Sequence, residues 1–401
     1  MQKETKKSLT VVLKTVERCN INCTYCYIFN QSDTSWKQRP IYIKPDVIKQ
    51  TAAFLNQAII DLSINQILIV FHGGEPMMQK RRDFDAMCHT FRNSLPKEIE
   101  CNFSIQTNAT LINKDWINLF QKHRVSISVS LDGTKEDNDK HRIDHRGKGT
   151  YDKVINGIKM LQSEFNTDYS RIGLLCVINP EHDAEKIYQH FVHDLNIKNM
   201  DFLLPEFSYD TQPSFDTNNI NVYLDKLLNC WLKDNNPDIK IRLFSHYMNL
   251  LQGKNGLKYG FTNLSENSLH VISITTDGAL TPTDEVRNIY KGQLFDGTTV
   301  FNTSLKDFYA KPIFMELESA HQHKPEKCKL CIWQNVCQGG NYETRFSLEN
   351  KFNNPTIHCE SIKKILASLC ACMINYGYSA DDIMQNIGLD KLSLTTEDYH
   401  G

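Results

Sequence analysis

The cysteines carry the first chemistry legible in this sequence. Cys19, Cys23 and Cys26 stand at C-x3-C-x2-C spacing, and Cys328, Cys331, Cys337 and Cys359 at C-x2-C-x5-C-x21-C. Three thiolates around a four-iron cluster leave one iron open to a substrate or cofactor, whereas four thiolates close the site. The first spacing differs from the C-x2-C-x2-C-x3-C run of ferredoxin-type electron carriers and from the C-x2-C pairs of structural zinc. The second set opens with such a pair, so zinc is its alternative reading. Cys88, Cys101, Cys176 and Cys230 fall on strand or helix patterns and read as small buried apolar residues. Cys370 and Cys372, two apart on one helix, face different sides and read as structural.

The elements that must hold these thiols follow from periodicity. Short β-rich runs at 9–15, 66–71, 102–106, 125–131, 172–178 and 200–204 alternate with helical spacing, as in Val47, Ile48, Phe54, Leu55, Ala58 and Ile59 after Pro45. Six such units are too few for a closed eight-unit barrel, so an open, partial barrel is expected. Cys19, Cys23 and Cys26 then sit at the carboxyl end of the first strand, where barrel active sites lie. Other polar groups close the following strands: His72-Gly73-Gly74-Glu75-Pro76, then Gln106-Thr107-Asn108, then Ser130-Leu131-Asp132-Gly133, with Arg142 shortly beyond. Helices are expected over 219–232, around 244–251 and over 361–376, the last followed by a polar tail, and a hairpin over 271–281 turns at Asp277-Gly278.

Taken together, these residues resemble the radical S-adenosylmethionine (SAM) superfamily, including Tyr25 just before the third cysteine. The resemblance implies an α/β fold, a partial (β/α)6 radical SAM barrel with a C-terminal SPASM/twitch-like iron-sulfur domain. The expected division is a barrel over 1–215, a helical bridge over 216–265, the auxiliary-cluster domain over 266–365, and a helix and tail over 366–401. Cys19, Cys23 and Cys26 are then the ligands of a 4Fe-4S cluster. Tyr25, Gly73, Gly74, Glu75, Gln106, Asn108, Ser130 and Arg142 are the expected SAM contacts, Glu75 meeting the amino group and the glycines admitting the cofactor close to the backbone. Such enzymes generate a 5'-deoxyadenosyl radical that abstracts hydrogen from an unactivated C–H bond.

The second cysteine set resembles the SPASM extension, in which Cys328, Cys331, Cys337 and Cys359 would ligate one auxiliary 4Fe-4S cluster. Two departures stand out: Thr283 and Asn341 occupy positions where that extension carries cysteines for an inner cluster. With Gln338-Gly339-Gly340 and Arg345-Phe346-Ser347, the pattern is similar to maturases that crosslink aromatic residues in ribosomally made peptides, the cyclophane- and daropeptide-forming group. The implied function is a C–C or ether crosslink in a precursor peptide. The alternatives are an oxidation of a protein Cys or Ser like that of anaerobic sulfatase maturases, and a non-catalytic iron-sulfur or zinc adaptor. The expected partners are the precursor peptide and a flavodoxin- or ferredoxin-type reductant.

Crosslinking needs a proton acceptor, for which Asp284, Glu206 and Glu285 are the candidates and Asp284 ranks first, because it falls where the inner cluster is missing. Composition fits this reading: 45 Lys+Arg against 47 Asp+Glu give a net charge of -2, which argues for neither a nucleic-acid nor a membrane partner. No apolar stretch follows the polar start, so a cytoplasmic enzyme is expected, and thirteen cysteines in a reducing compartment report metal chemistry more than disulfides.

Overall fold

The computed structural model describes residues 7–165, 171–211, 213, 215–254, 268–284, 286–291, 294 and 296–389. Six parallel strands run in chain order: β1 (Ser8–Val16), β2 (Gln66–Gly73), β3 (Glu100–Thr107), β4 (Val125–Ser130), β5 (Ile172–Val177) and β6 (Asn199–Leu203). They match the six runs read from the sequence to within a few residues at each end. Three further strands follow: β7 (Lys240–Ile241), β8 (Ser268–Ile274) and β9 (Leu280–Thr281). The order across the single sheet is β7-β6-β5-β4-β3-β2-β1-β8-β9, so the barrel is open and β7 and β9 are its edges.

The hairpin expected near residue 277 forms, but it is not a detached feature. Strand β8 pairs in parallel with β1, Leu13 opposite Ile274, while β9 returns antiparallel to it. Gly278 takes φ of +84°, which favours glycine, and Thr275 N–H donates to the Ala279 carbonyl at 3.0 Å to close the turn.

Helices α1 (Pro45–Leu62), α2 (Arg81–Ser94), α3 (Lys114–His123), α4 (Lys135–His141), α5 (Tyr151–Phe165) and α6 (Ala184–Gln189) cover the sheet's outer face. All but the polar α4 present an apolar stripe to it; α1 buries Val47, Ile48, Ala52, Phe54, Leu55 and Ala58 and starts on Pro45, whose missing N–H costs nothing in a first turn. Asn113 caps α3 by accepting from the Trp116 N–H at 3.1 Å. Beneath α2 and α3, Phe84 meets Phe71 of β2 at 4.9 Å, Trp116 at 5.2 Å and Phe120 at 6.0 Å between ring centroids. Helices α7 (Asn219–Asp234) and α8 (Arg242–Leu251) pack with the long helix Cys359–Asn375. Beyond it, where only a polar tail is expected, the chain forms another helix, Ala380–Ile387. It caps on Ser379 and buries Ile383 and Ile387, a two-residue stripe too short to stand out in a polar sequence.

One irregularity bears on function. Lys14 pairs with His72 and Val16 with Gly73, so Thr15 is an extra residue in β1 and forms a bulge at the strand's carboxyl end. Past the bulge the in-out alternation fails, and Lys14, Thr15, Val16 and Glu17 are all buried.

Phe84→Ala should cost about 3–5 kcal/mol, the usual range for removing a fully buried aromatic ring, and chemical denaturation of the purified protein measures it.

Candidate functional site

Backbone contacts at the strand ends set the site. Beyond the bulge, the first cysteine loop is hydrogen-bonded to the end of β2, Gly74 N–H to the Val16 carbonyl at 2.7 Å and Glu75 N–H to the Arg18 carbonyl at 2.9 Å. A Cβ on Gly73 would lie 2.2 Å from the Val16 oxygen and one on Gly74 2.0 Å from the Arg18 oxygen. Both glycines are therefore demanded by the cysteine loop's own backbone, a requirement distinct from the close approach of a cofactor expected from the sequence.

Glu75 is buried, and its carboxylate binds the chain itself: it accepts from Asn108 N–H and the Thr107 hydroxyl at 2.8 Å, and from Met77 N–H at 3.0 Å. Burial raises its pKa to about 6 against these donors. Asn108 extends the link, its amide donating to Asn20 at 2.9 Å and lying 3.7 Å from the Cys19 sulfur. Gln106 donates to the Ser130 hydroxyl at 2.8 Å, joining β3 to β4. Thus the loop after β1 is fastened to the ends of β2 and β3.

Behind Cys26, Tyr25 donates to Asp132, and Arg142 donates to the Tyr25 oxygen at 2.9 Å with its guanidinium 3.9 Å from Asp132. Asp132 also accepts from Val177 N–H at 3.1 Å, so one carboxylate holds the cysteine loop against β5. No role was assigned to Asp132 from the sequence. Arg142 Nε is buried without an acceptor, an orphaned donor that fits an anionic group of a bound cofactor.

Within each set the thiols influence one another. Burial, followed by the charge of Glu75 and the influence of Cys23 and Cys26, pushes the Cys19 thiol up to about 12. The second set is likewise mutually coupled: burial and then Cys359 and Cys331 raise Cys328, and Cys337 feels all three others. Among the described residues, three or more ligand atoms lie within 4.8 Å of one another at Asp85, His89 and His123, and this grouping contains no cysteine. A small cavity beside Cys337 is lined by His246, Tyr247, Asn341 and His358, placing Asn341 against open space. Cys88, Cys101, Cys176 and Cys230 are buried, and Cys370 and Cys372 are half-buried on one helix.

Asp284 closes the site from the far end of the sequence. It forms a buried ion pair with Lys14, accepts from the Tyr27 hydroxyl at 3.3 Å and lies 3.9 Å from Arg287. Lys14 in turn lies 3.2 Å from His72 Nδ1, and Arg287 is held by Asp33 at 2.7 Å. Burial alone would raise the Asp284 pKa, but Lys14 and Arg287 hold it below the usual carboxylate range, so the group is anionic. Burial and the neighbouring Lys14 depress His72 to about 3, leaving it neutral. Glu206 is half-buried, and its charge, after burial and Asp284, helps to push the Tyr27 phenol well above its ordinary value. Asp284 and Glu206 therefore flank Tyr27, while Glu285 lies outside the described residues. Lys14, Tyr27 and Arg287 are the residues that sequence reasoning passed over. Their signals were a lone lysine in an apolar strand and a second aromatic directly after Cys26.

Lys14→Met should destabilise the fold by about 3–5 kcal/mol by leaving Asp284 buried without its partner. The depressed Asp284 pKa contributes stability that is present above about pH 4 and lost as pH falls through the folded value. The variant should therefore lose less stability on acidification than the wild type, and Lys14→Met/Asp284→Asn should recover part of the loss. Denaturant midpoints across pH read both effects.

Comparison with known proteins accords with this geometry. Residues 13–191 match the Radical SAM superfamily model. The chain is 28% identical over 387 residues to a cysteine-type anaerobic sulfatase-maturating enzyme of Clostridium novyi, covering 89% of this chain and 94% of that one. It is 24% identical over 378 residues to the enzyme of the same description from Clostridium perfringens strain 13, covering 89% and 95%. Among solved structures, native anSMEcpe with bound AdoMet superposes with a TM-score of 0.77 at 22% identity, over 92% of this chain and 98% of the other. The radical SAM α/β fold, the thiol sets and these relatives exclude the non-catalytic adaptor. Residues 13–191 match a radical SAM domain, and the chain is an enzyme that uses SAM and 4Fe-4S chemistry.

Proposed function

We propose that the enzyme oxidises a Cys or Ser side chain of a peptide or protein. The observation that carries this reading is the meeting of Asp284 with Tyr27, which places an ionised carboxylate beside the residue that follows Cys26. The near-full-length likeness to cysteine-type anaerobic sulfatase-maturating enzymes supports it, as does the related anSMEcpe structure with bound AdoMet and Cp18Cys peptide.

When bound at Cys19, Cys23 and Cys26, the cluster with SAM supplies hydrogen-atom abstraction from an unactivated carbon. The chain's own residues supply the rest. Gln106, Asn108, Ser130 and Arg142, at successive strand ends, would hold the cofactor, with Glu75 as a buried anion near its cationic end. Asp284 takes the thiol or hydroxyl proton, Lys14 and Arg287 keeping it ionised until then. The side chain thereby loses a hydrogen atom, a proton and one electron, its C–H and S–H or O–H bonds giving way to a C=S or C=O bond. The electron passes to a one-electron acceptor, a role that a cluster held by Cys328, Cys331, Cys337 and Cys359 would fill.

A second reading, a crosslink between side chains of a precursor peptide, is favoured by Thr283 and Asn341. Neither residue can ligate iron as a thiolate, and Asn341 borders open space beside Cys337.

The anaerobically purified enzyme should carry about eight irons, falling to about four in a Cys19→Ala/Cys23→Ala/Cys26→Ala variant, as iron and sulfide analysis measures. Incubated with SAM, reductant and short peptides carrying one Cys or Ser, wild type should release 5'-deoxyadenosine and yield an aldehyde trapped by hydrazine, directly from Ser, and from Cys once water hydrolyses the C=S bond and sulfur leaves as hydrogen sulfide. A crosslinked product loses two hydrogens and resists hydrazine, and its appearance with an aromatic-containing precursor would select the second reading. Absence of 5'-deoxyadenosine with every peptide would sink both. Asp284→Asn should lower product formation about 10²–10⁴-fold while nucleoside release persists, since proton acceptance follows abstraction.

A further inference from the structure

Away from the strand ends, α2 and α3 bring three metal-ligating side chains together on the outer layer of the fold. Asp85 and His89 stand four apart on α2, a spacing that puts both on one face of the helix, and His123 is the last residue of α3. Their ligand atoms all lie within 4.8 Å of one another. His123 Nε2 is 2.6 Å from Asp85 Oδ1, and His89 Nε2 is 3.7 Å from the same oxygen. The two imidazoles meet edge to face with centroids 4.9 Å apart. The His123 side chain is 4% exposed and that of His89 50%, so the group is anchored in protein on one side and open to solvent on the other. Nothing in the cysteine loop, its fasteners or the Asp284 pair makes use of these three residues.

The donor set selects the ion. Two neutral imidazoles and a carboxylate suit zinc and its transition-metal neighbours, and suit magnesium or calcium poorly, since those ions take oxygen ligands. Tetrahedral zinc with bonds of about 2.1 Å holds its ligand atoms about 3.4 Å apart. The separations of 2.6 and 3.7 Å bracket that figure, and the half-exposed His89 is the ring with room to adjust. The frame stands without an ion: Arg92 of α2 donates to the His123 carbonyl at 3.2 Å and to the Cys101 carbonyl, which fixes the end of α3 against α2 and β3. Lys122 opposes a cation, its ammonium donating to Asp85 Oδ1 at 2.7 Å. That side chain is half-exposed and can swing into solvent. Cys88, on the same helix, is buried and lies outside the group.

We propose that Asp85, His89 and His123 form a site for one zinc ion, with water as the fourth ligand, that clips α2 to α3. The imidazoles bind as neutral rings and Asp85 as the anion, so the ion replaces the Lys122 ammonium and the hydrogen bond between Asp85 and His123. The place of the clip in the fold gives it a consequence. Helix α2 follows the Gly73-Gly74-Glu75 turn and α3 follows Gln106-Thr107-Asn108, so an ion between them braces the helices behind two of the strand ends that fasten the first cysteine loop. Phe84, Trp116 and Phe120 already pack these helices together, and the ion adds a bond that the unfolded chain does not offer in that geometry. The site is independent of both cysteine sets and of the peptide reaction.

The test uses the cluster-loaded, full-length enzyme under anaerobic conditions, with zinc chloride as the probe. Equilibrium dialysis against micromolar zinc, followed by metal analysis, should find about one zinc per chain in wild type with the iron content unchanged, and calorimetry should find Tm raised by a few degrees. His89→Ala, at a half-exposed ring that the core does not need, should weaken zinc binding about a hundredfold or more and abolish the rise, since loss of even a ligand's outer partner costs about 10–100-fold. Lys122→Met should act in the opposite direction and tighten zinc binding about two- to fivefold, the worth of one exposed ion pair, a gain that a merely structural role for the cluster does not produce. His193→Ala, at an exposed ring beside Asp234, should leave uptake unchanged. Circular dichroism confirms that each variant is folded. Equal uptake by wild type and His89→Ala, no uptake by wild type, zinc uptake matched by loss of iron, or weaker binding in Lys122→Met would each overturn the proposal.

Discussion

The ion pair between Lys14 and Asp284 joins residues 270 positions apart and ties the first strand to the chain beyond the hairpin. Burying two charges costs more than their attraction returns unless the geometry is good and further polar partners surround them. Those partners are present: His72 beside Lys14, Tyr27 and Arg287 beside Asp284, and Asp33 beside Arg287. Because these partners come from the end of β2, the loop after β1 and the stretch after β9, the pair fixes how the loops after β1 and β9 meet, and hence what stands next to the first cysteines. The bulge at Thr15 makes this arrangement accessible, since it breaks the alternation of β1 just where its lysine must be enclosed.

A second constraint acts through bare backbone. Gly73 and Gly74 allow the end of β2 to touch Val16 and Arg18, and Glu75 then reaches across to Thr107 and Asn108. The cysteine loop is therefore positioned from one side by main-chain contacts and from the other by Tyr25 with Asp132 and Arg142. Glu75 and Arg142, which read in the sequence as cofactor contacts, act in the structure as fasteners of the loop.

Much of this was legible beforehand, and for identifiable reasons. The strands β1 to β6 announce themselves by apolar alternation, as in Ile67, Ile69 and Phe71, and helices such as α1 by Pro45 and a clear stripe. Cysteine spacing marks both thiol sets because the chemistry permits few alternatives. The two-residue strand β7 was not legible, since two residues carry no period, whereas β9, equally short, was marked by the Asp277-Gly278 turn before it. Nor was the sheet-extending position of β8, which depends on a partner more than 250 residues away. Lys14 and Tyr27 escaped for a related reason: the bulge that buries one and the approach of Asp284 to the other are tertiary facts. The helix Ala380–Ile387 was hidden by its polar composition.

The placement of β8 against β1 has a consequence for how the protein is made. Until residues 268–274 leave the ribosome, the first strand of the barrel has one edge with no partner, its N–H and C=O groups open to pairing with any other extended chain. The barrel cannot be completed during synthesis of its own half, so the nascent enzyme carries a sticky border through the production of two thirds of its length. Expression yield and inclusion-body formation should therefore respond to changes in β8 more than to equally buried changes in β5. For the same reason, shortening the chain to its SAM-binding half would remove a structural strand of that half.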